Sequence, residues 1–222
     1  MSLLKRKLAK ILQEKNRDLD YGLGFNFEYL PFNLDKLRKN FQETVLEIGT
    51  GWGEFTLENA ALHPDSLFIA VEKKRHRIVD SIKRQKSLGI KNIRWLVLDV
   101  QWFFLEVFKE QTFEKIIINF PDPWPKKRHH KHRFIQENRI KDFEKVIKVN
   151  GSLEFGTDYY EYARDVLFLL EGSKQWQNLN GRFSLLSEIP QRPISYFQQL
   201  KKKEGFPSFF LQFQIVDKQN TK

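Results

Sequence analysis

An α/β fold, a mostly parallel seven-stranded sheet with helices on both faces and an antiparallel C-terminal strand, is predicted by three features of the chain. Short apolar runs alternate with helical stretches from residue 44 onward. Turn residues punctuate the junctions, as at Gly49, Gly51, Pro64, Gly89 and Gly151. Four acids, Glu47, Glu72, Asp99 and Asp122, fall at the C-terminal ends of successive predicted strands. That rim is where open α/β sheets bind their ligands.

The elements follow in order. Residues 1–33 form an N-terminal arm, in which Leu4, Leu8, Ile11 and Leu12 recur at helical spacing among Lys and Arg. Glu14 and Asp18 enter early and the apolar stripe is narrow, so a packed or RNA-facing arm is favoured over a membrane-surface helix. A Gly/Asn/Pro-containing stretch covers 21–33. Strand 44–48 is followed by helix 52–62, which stops before Pro64 because proline disfavours helical backbone in its predecessor. Strand 67–72, helix 74–88 ended by Gly89, strand 93–98, helix 102–109 and strand 115–120 come next. Helix 134–149 carries Ile140, Phe143, Val146 and Ile147 on one side and ends at Asn150-Gly151. After strand 152–156, Asp158 is placed to cap helix 160–170. Strands 183–186 and 209–216 close the series as an antiparallel pair, with no helix between them. No repeat or low-complexity linker interrupts the chain, and one domain, 1–222, is expected.

Composition narrows the function classes. Twenty-one Phe and five Trp supply a substantial core, and 38 Lys and Arg against 28 Asp and Glu leave a formal charge of +10. Such a surface suits a polyanionic partner. The absence of Cys excludes disulfides, thiolate metal sites and a Cys nucleophile, and fits a reducing, cytoplasmic setting. No apolar run approaches the roughly 20 residues needed to span a bilayer, and a cleaved signal would need a continuous apolar core that the N-terminus lacks. Monomer and homodimer are equally compatible with these residues.

Glu47-Ile48-Gly49-Thr50-Gly51-Trp52-Gly53 is a glycine-rich turn between the first strand and its helix, where Gly49 and Gly51 permit close approach by a ligand. A dinucleotide fingerprint would place a third glycine at position 54, which is Glu. A carboxylate there argues against a diphosphate cofactor. Glu72, 23 residues after Gly49, stands where a carboxylate accepts from both hydroxyls of an adenosyl ribose, and Asp99 where one accepts from an adenine amino group. Each position alone is ordinary turn and cap chemistry. Together, four carboxylates on one rim suit a cation, and the sulfonium and amino groups of S-adenosylmethionine are cationic. A metal ion is the competing use, but no octahedral cluster is evident.

The run from Asn119 to Arg133 joins an apolar strand to rigid prolines, one carboxylate and a cationic stretch. From Lys126 to Arg133 there are five Lys or Arg and three His in eight positions. The cations are expected to pair with phosphates, weakening steeply with salt. Trp124 offers either a base-stacking face or a loop anchor. His129, His130 and His132 would need to converge to hold zinc, and a solvated cationic loop is favoured over a metal site. Lys73 to Arg77 make a second cluster, readable as a phosphate contact or as a solvated helix face.

Four blocks, EIGTGWGEF from Glu47, VEKKRHR from Val71, NFPDPWPKKRHHKHR from Asn119 and FGTDYYEYA from Phe155, resemble those of the bacterial tRNA (guanine-N7)-methyltransferases. RPISYFQQLKKKEGFP from Arg192 is a fifth, weaker block. The resemblance implies a Rossmann-like class I fold and methyl transfer from S-adenosyl-L-methionine to a guanine in the tRNA variable loop. By motif position it implies that Glu47, Glu72, Asp99 and Asp122 contact the cofactor beside Gly49 and Gly51, with Asp122 the catalytic candidate. Lys126, Asp158 and the segment Ser195, Tyr196, Phe197, Gln198 would meet the substrate. The family usually has Glu where this chain has Gln198. Two rivals stand beside this reading. An exocyclic-amine methyltransferase would use Asn119 to Pro123 as an Asn/Asp-Pro-Pro-aromatic loop, a match that Asp122 and the late Trp124 weaken. A non-catalytic RNA-binding module is the other, against which the intact acids argue.

Overall fold

The computed structural model describes residues 3–19 and 30–217. Residues 20–29, most of the predicted 21–33 stretch, lie outside the described residues. Two compact units make up the chain, Met1–Thr112 and Phe113–Lys222.

The first unit runs α1 (Leu3–Lys15), α2 (Asp35–Arg38), β1 (Glu43–Ile48), α3 (Glu54–Leu62), β2 (Ser66–Glu72), α4 (Arg75–Ser87), β3 (Ile93–Val97) and α5 (Val100–Val107). Its strands are parallel, in the order β3-β2-β1, with Leu46 opposite Ile69 and Ala70 opposite Trp95. Having a strand on each side and α3 and α4 packed against it, β2 is buried along its whole length. A near-continuous apolar run is what such a position requires. Trp95 is fully buried, and its indole N–H finds its acceptor in Gln85 Oε1 at 2.6 Å.

The N-terminal arm is packed, as one of its two expected forms allowed. Leu8 and Leu12 are buried, and one turn further on Asn16 meets the backbone of β3. Its Oδ1 accepts from Val97 N at 2.7 Å and its Nδ2 donates to Val97 O at 3.2 Å. The Arg75 guanidinium adds a bond to Arg17 O at 2.9 Å. A side-chain amide thus supplies the donor and acceptor that a neighbouring strand would otherwise offer the edge of β3.

The second unit runs β4 (Phe113–Asn119), a 3₁₀ turn (Lys127–His132), α6 (Glu137–Val146), β5 (Ile147–Thr157), α7 (Tyr160–Glu171), β6 (Trp176–Asn178), α8 (Tyr196–Lys203) and β7 (Phe209–Ile215). β4 pairs parallel with β5, and β7 pairs antiparallel with both β5 and β6. The expected class holds: seven strands, mostly parallel, with an antiparallel C-terminal strand.

Several boundaries differ from expectation. The helix read over 134–149 ends at Val146, and Asn150-Gly151 lies inside the eleven-residue β5 rather than capping a helix. Asn150 takes φ +63, and a Cβ on Gly151 would come within 2.9 Å of Glu114 O, so the pair forms a bend in a strand. The sixth strand is at Trp176–Asn178, not 183–186. Phe183 has φ +57 and cannot extend, while Leu186 makes a single bridge to Phe210. A helix, α8, fills the interval expected to hold none, capped by the Ser195 hydroxyl and closed by Lys201, Lys202 and Lys203. Helix α7 begins after Tyr159 with no side-chain cap, so Asp158 does not serve as the N-cap.

Glu154 is placed mid-strand and is 2% exposed. Lys115 Nζ lies 2.9 Å from its Oε2 and Arg192 Nε 2.6 Å from its Oε1. Burial pushes this carboxyl up, but Lys115 and Arg192 outweigh it and hold it below the usual carboxylate range. The Arg192 guanidinium also donates to Asn119 Oδ1 at the end of β4 and lies over the Phe210 ring, 4.8 Å from its centroid.

Two outcomes follow for stability. Asn16→Ala strips β3 of its edge partner, which should cost about 1–3 kcal/mol and accelerate hydrogen exchange at the Val97 amide; unchanged exchange there would refute the edge-capping role. Glu154→Gln leaves the buried Arg192 and the half-buried Lys115 unbalanced and should cost about 3–5 kcal/mol at neutral pH. Because the folded pKa is depressed, this stabilisation is present above the unfolded value of about 4.3 and is lost as pH falls through the folded value. The gap in melting temperature between wild type and variant should therefore close in acid, and a gap independent of pH would contradict the assignment.

Candidate active site

In the first unit, β1 delivers the glycine turn. Gly49 N and Thr50 N both donate to Val71 O, at 2.8 and 3.1 Å, which fixes the turn on the neighbouring strand. Gly49 and Gly51 take φ +79 and +59, and a Cβ built on either meets nothing within 4 Å. Gly53 differs: a Cβ there would lie 2.6 Å from Trp95 Cη2, so this glycine serves packing. Glu54 opens α3 and faces Arg84 at 3.5 Å.

The expected cofactor acids take distinct places. Glu47 is buried, and Oε2 accepts from the Thr56 hydroxyl at 2.6 Å. Glu72 accepts from Gly51 N at 3.1 Å and Lys74 N at 2.9 Å, with Arg77 3.7 Å away. It therefore binds the glycine turn to the start of α4. Each carboxylate oxygen has two lone pairs, so Glu72 keeps acceptor capacity for a pair of hydroxyls. Asp99 caps α5, accepting from Gln101 N at 3.1 Å. The Thr50 hydroxyl is buried without a hydrogen-bond partner among the described residues. An open glycine cradle, an orphaned hydroxyl and three acceptors fit a nucleoside bearing a cationic group, so these residues fit S-adenosylmethionine.

In the second unit, the chain leaves β4 with Phe120 N donating to Gly156 O at 2.8 Å. Phe120 and Trp124 take φ +47 and +44, framing Pro121-Asp122-Pro123. Asp122 is exposed and makes no hydrogen bond or ion pair with the described residues. Lys126, Lys127, Arg128 and Lys131 are exposed along the 3₁₀ turn. Trp124 packs against His129 and His132, with ring centroids 5.9 and 5.2 Å away, which makes it an anchor of the loop. Among the described residues no three His, Asp or Glu converge as metal ligands.

Arg133 departs from the expected phosphate-binding row. Its side chain is 4% exposed; Nε donates to Pro123 O at 2.8 Å and Nη1 to Asp165 at 2.7 Å. Its guanidinium carbon lies 4.8 Å from the centroid of Tyr162. The Tyr162 phenol, pushed up by burial, accepts from Ile135 N at 2.9 Å.

The 195–198 block divides by side. Ser195 Oγ accepts from Gln198 N at 3.2 Å, so its hydroxyl caps α8. Gln198 is buried and faces Arg192 Nη1 at 3.5 Å. Tyr196 and Phe197 are exposed, and Phe197 lies 5.6 Å from Phe120. Asp158 is half-buried, and its charge reaches Lys201 on α8. The unit thus gathers the Asp122 loop and α8, and brings Asp158 to α8. Sequence reasoning gives Glu154 and Arg192 no individual role, and gives Arg133 a phosphate-facing one that its burial overturns. A lone acid inside the apolar run of 152–156 was the available signal for the first.

The family described as "Putative methyltransferase" matches residues 41–210. The tRNA (guanine-N(7)-)-methyltransferase of Leptospira interrogans serogroup Icterohaemorrhagiae serovar Lai is 34% identical over 95% of this chain and 100% of its own length. That of Nitrosomonas eutropha is 33% identical over 83% of this chain and 81% of its own. Among solved structures, the 16S rRNA methyltransferase KamB has a TM-score of 0.62 at 12% identity, covering 83% of this chain and 93% of that one. An A1408 ribosomal methyltransferase from an uncultured bacterium has 0.59 at 17%, over 82% and 92%. These two show the fold alone. By sequence, the chain belongs to the tRNA (guanine-N7)-methyltransferases.

Proposed function

We propose that residues 1–222 act as one methyltransferase domain in the cytoplasm, moving a methyl group from S-adenosyl-L-methionine to N7 of a guanine in the tRNA variable loop. The exposed Asp122 carboxylate, unpaired among the described residues on a proline-framed loop that runs into a cationic turn, is the observation that carries the reading. Gly49, Gly51, Glu47, Glu72 and Asp99 hold the cofactor in this scheme, with Asp122 a further contact. When bound, the cofactor supplies an electrophilic methyl on a sulfonium.

Guanine N7 presents a lone pair and no proton, so the protein has no base catalysis to perform. Receiving that methyl at N7 would place positive charge on the purine. Asp122 accepts hydrogen bonds from guanine nitrogens and stabilises that charge as it develops. Lys126, Asp158 and the exposed Tyr196 and Phe197 receive the RNA, while Ser195 and Gln198 set the pitch of α8 beneath them. Lys127, Arg128 and Lys131 pair with phosphates.

Incubating purified protein with unmodified tRNA and labelled cofactor, then mapping the product, should place the methyl on N7 in the variable loop. A label on an exocyclic amine, or none, would reject the reading. Asp122→Ala should abolish transfer with the fold intact; near-wild-type turnover would remove its catalytic role. Lys126→Ala should weaken tRNA binding with cofactor affinity unchanged and lower the slope of log K against log salt by about 1; equal tRNA affinity would exclude it as a substrate contact.

A further inference from the structure

Phe120 and Trp124 each hold left-handed backbone without being glycine, at a cost of about 1–3 kcal/mol apiece. Pro121, Pro123 and Pro125 fix their own φ, and because Phe120 and Trp124 each precede a proline their favoured backbone is extended rather than left-handed. Something else must over-determine the loop. Two buried guanidiniums do so, one at each end. Arg192, its side chain 6% exposed, donates to Asn119 Oδ1 where β4 ends. Arg133, 4% exposed, donates to the carbonyl of Pro123, the residue after Asp122.

Neither arginine is the most economical way to stabilise a core. Arg133 Nη2 is buried with no hydrogen-bond partner among the described residues, an arrangement that costs about 1–3 kcal/mol. Arg192 requires the buried Glu154 to balance it. What both supply is a planar fork that serves two partners at a fixed angle: Asn119 with Glu154, and Pro123 O with Asp165. Arg192 also reaches Gln198 on α8, so one guanidinium joins the Asp122 loop to the helix beside it.

We infer that Arg192 and Arg133 are positioning residues for methyl transfer, pinning the Asp122 loop at Asn119 and at the Pro123 carbonyl. The inference rests on the function proposed above. With no proton to remove, the rate depends on alignment, and a displacement of about 1 Å costs about 100-fold.

The test uses Arg192→Lys and Arg133→Lys, which keep a cation for Glu154 and Asp165 but lose the fork. Arg139→Lys is the control: Arg139 is buried in the same unit, pairs with Asp142 and lies over the Phe134 ring. Both loop variants should lose about 10- to 100-fold in kcat, with KM for tRNA and Kd for S-adenosylmethionine within about threefold of wild type. Amide exchange over 120–126 should accelerate about tenfold in both and stay unchanged in Arg139→Lys. Wild-type kcat in both loop variants, an equal loss in Arg139→Lys, a loss matching the unfolded fraction, or unaltered exchange over 120–126 would overturn the inference. Should the wild-type protein methylate no tRNA, the functional reading fails, while the exchange comparison still decides whether the two arginines hold the loop.

Discussion

A charged carboxylate cannot stay in the middle of a sheet unless cations are brought to it, and in the second unit that constraint is set by Glu154. Lys115 answers it from β4 and Arg192 from the segment before α8. Once Arg192 is drawn inward, its remaining donors must find acceptors, and Asn119, Pro193 O and Gln198 provide them. The polar side chain at position 198 makes sense in this setting. Arg192 shares Glu154 with Lys115, and the Gln198 amide gives its guanidinium a further, neutral acceptor. Where the family usually has Glu, this chain keeps the acceptor and drops the charge.

The two units handle charge in opposite ways. The first engages its acids with backbone amides and hydroxyls: Glu72 with Gly51 and Lys74, Asp99 with Gln101, Glu47 with Thr56. Carboxylates held this way remain acceptors, as a nucleoside with a cationic group requires. The second unit exposes Lys126, Lys127, Arg128 and Lys131 on a short turn and turns Arg133 inside to hold that turn's entrance. A cationic run is therefore two things at once, four charges available to phosphate and one structural tie. Counting charges along the sequence merges them.

The parallel strands and the glycine turn were legible in the sequence because each rests on local chemistry, an apolar run bounded by a turn residue. Gly49 and Gly51 could be read for the same reason: their left-handed backbone is what glycine permits. The failures share a different cause. Ile147 sits at helical spacing after Phe143 but is claimed by β5, because pairing with Phe113 outweighs helix periodicity. Phe183 reads as strand until Gly181, at φ +95, turns the chain before it. Helix α8 is short and lysine-rich, and its Ser195 cap carries little signal without the packing that buries Gln198. Arg133 could not be told from its neighbours because its burial depends on Tyr162 and Asp165, about thirty residues away.

For methyl transfer to N7, this division of labour places the chemical burden on rigidity. An enzyme that must remove a proton tunes a pKa through burial and neighbouring charge. Here no proton is removed, and exposed Asp122 sits on a loop held by the buried guanidiniums of Arg192 and Arg133. The ion pairs of Glu154 with Lys115 and Arg192, and of Arg133 with Asp165, set the two buried arginines that hold the ends of the loop carrying Asp122. Discrimination among the nucleophilic atoms of guanine then follows from where the ring is held, since N7 is selected by the line along which the methyl arrives rather than by which proton can be lost. Loosening either end of the loop would therefore erode rate and choice of atom together.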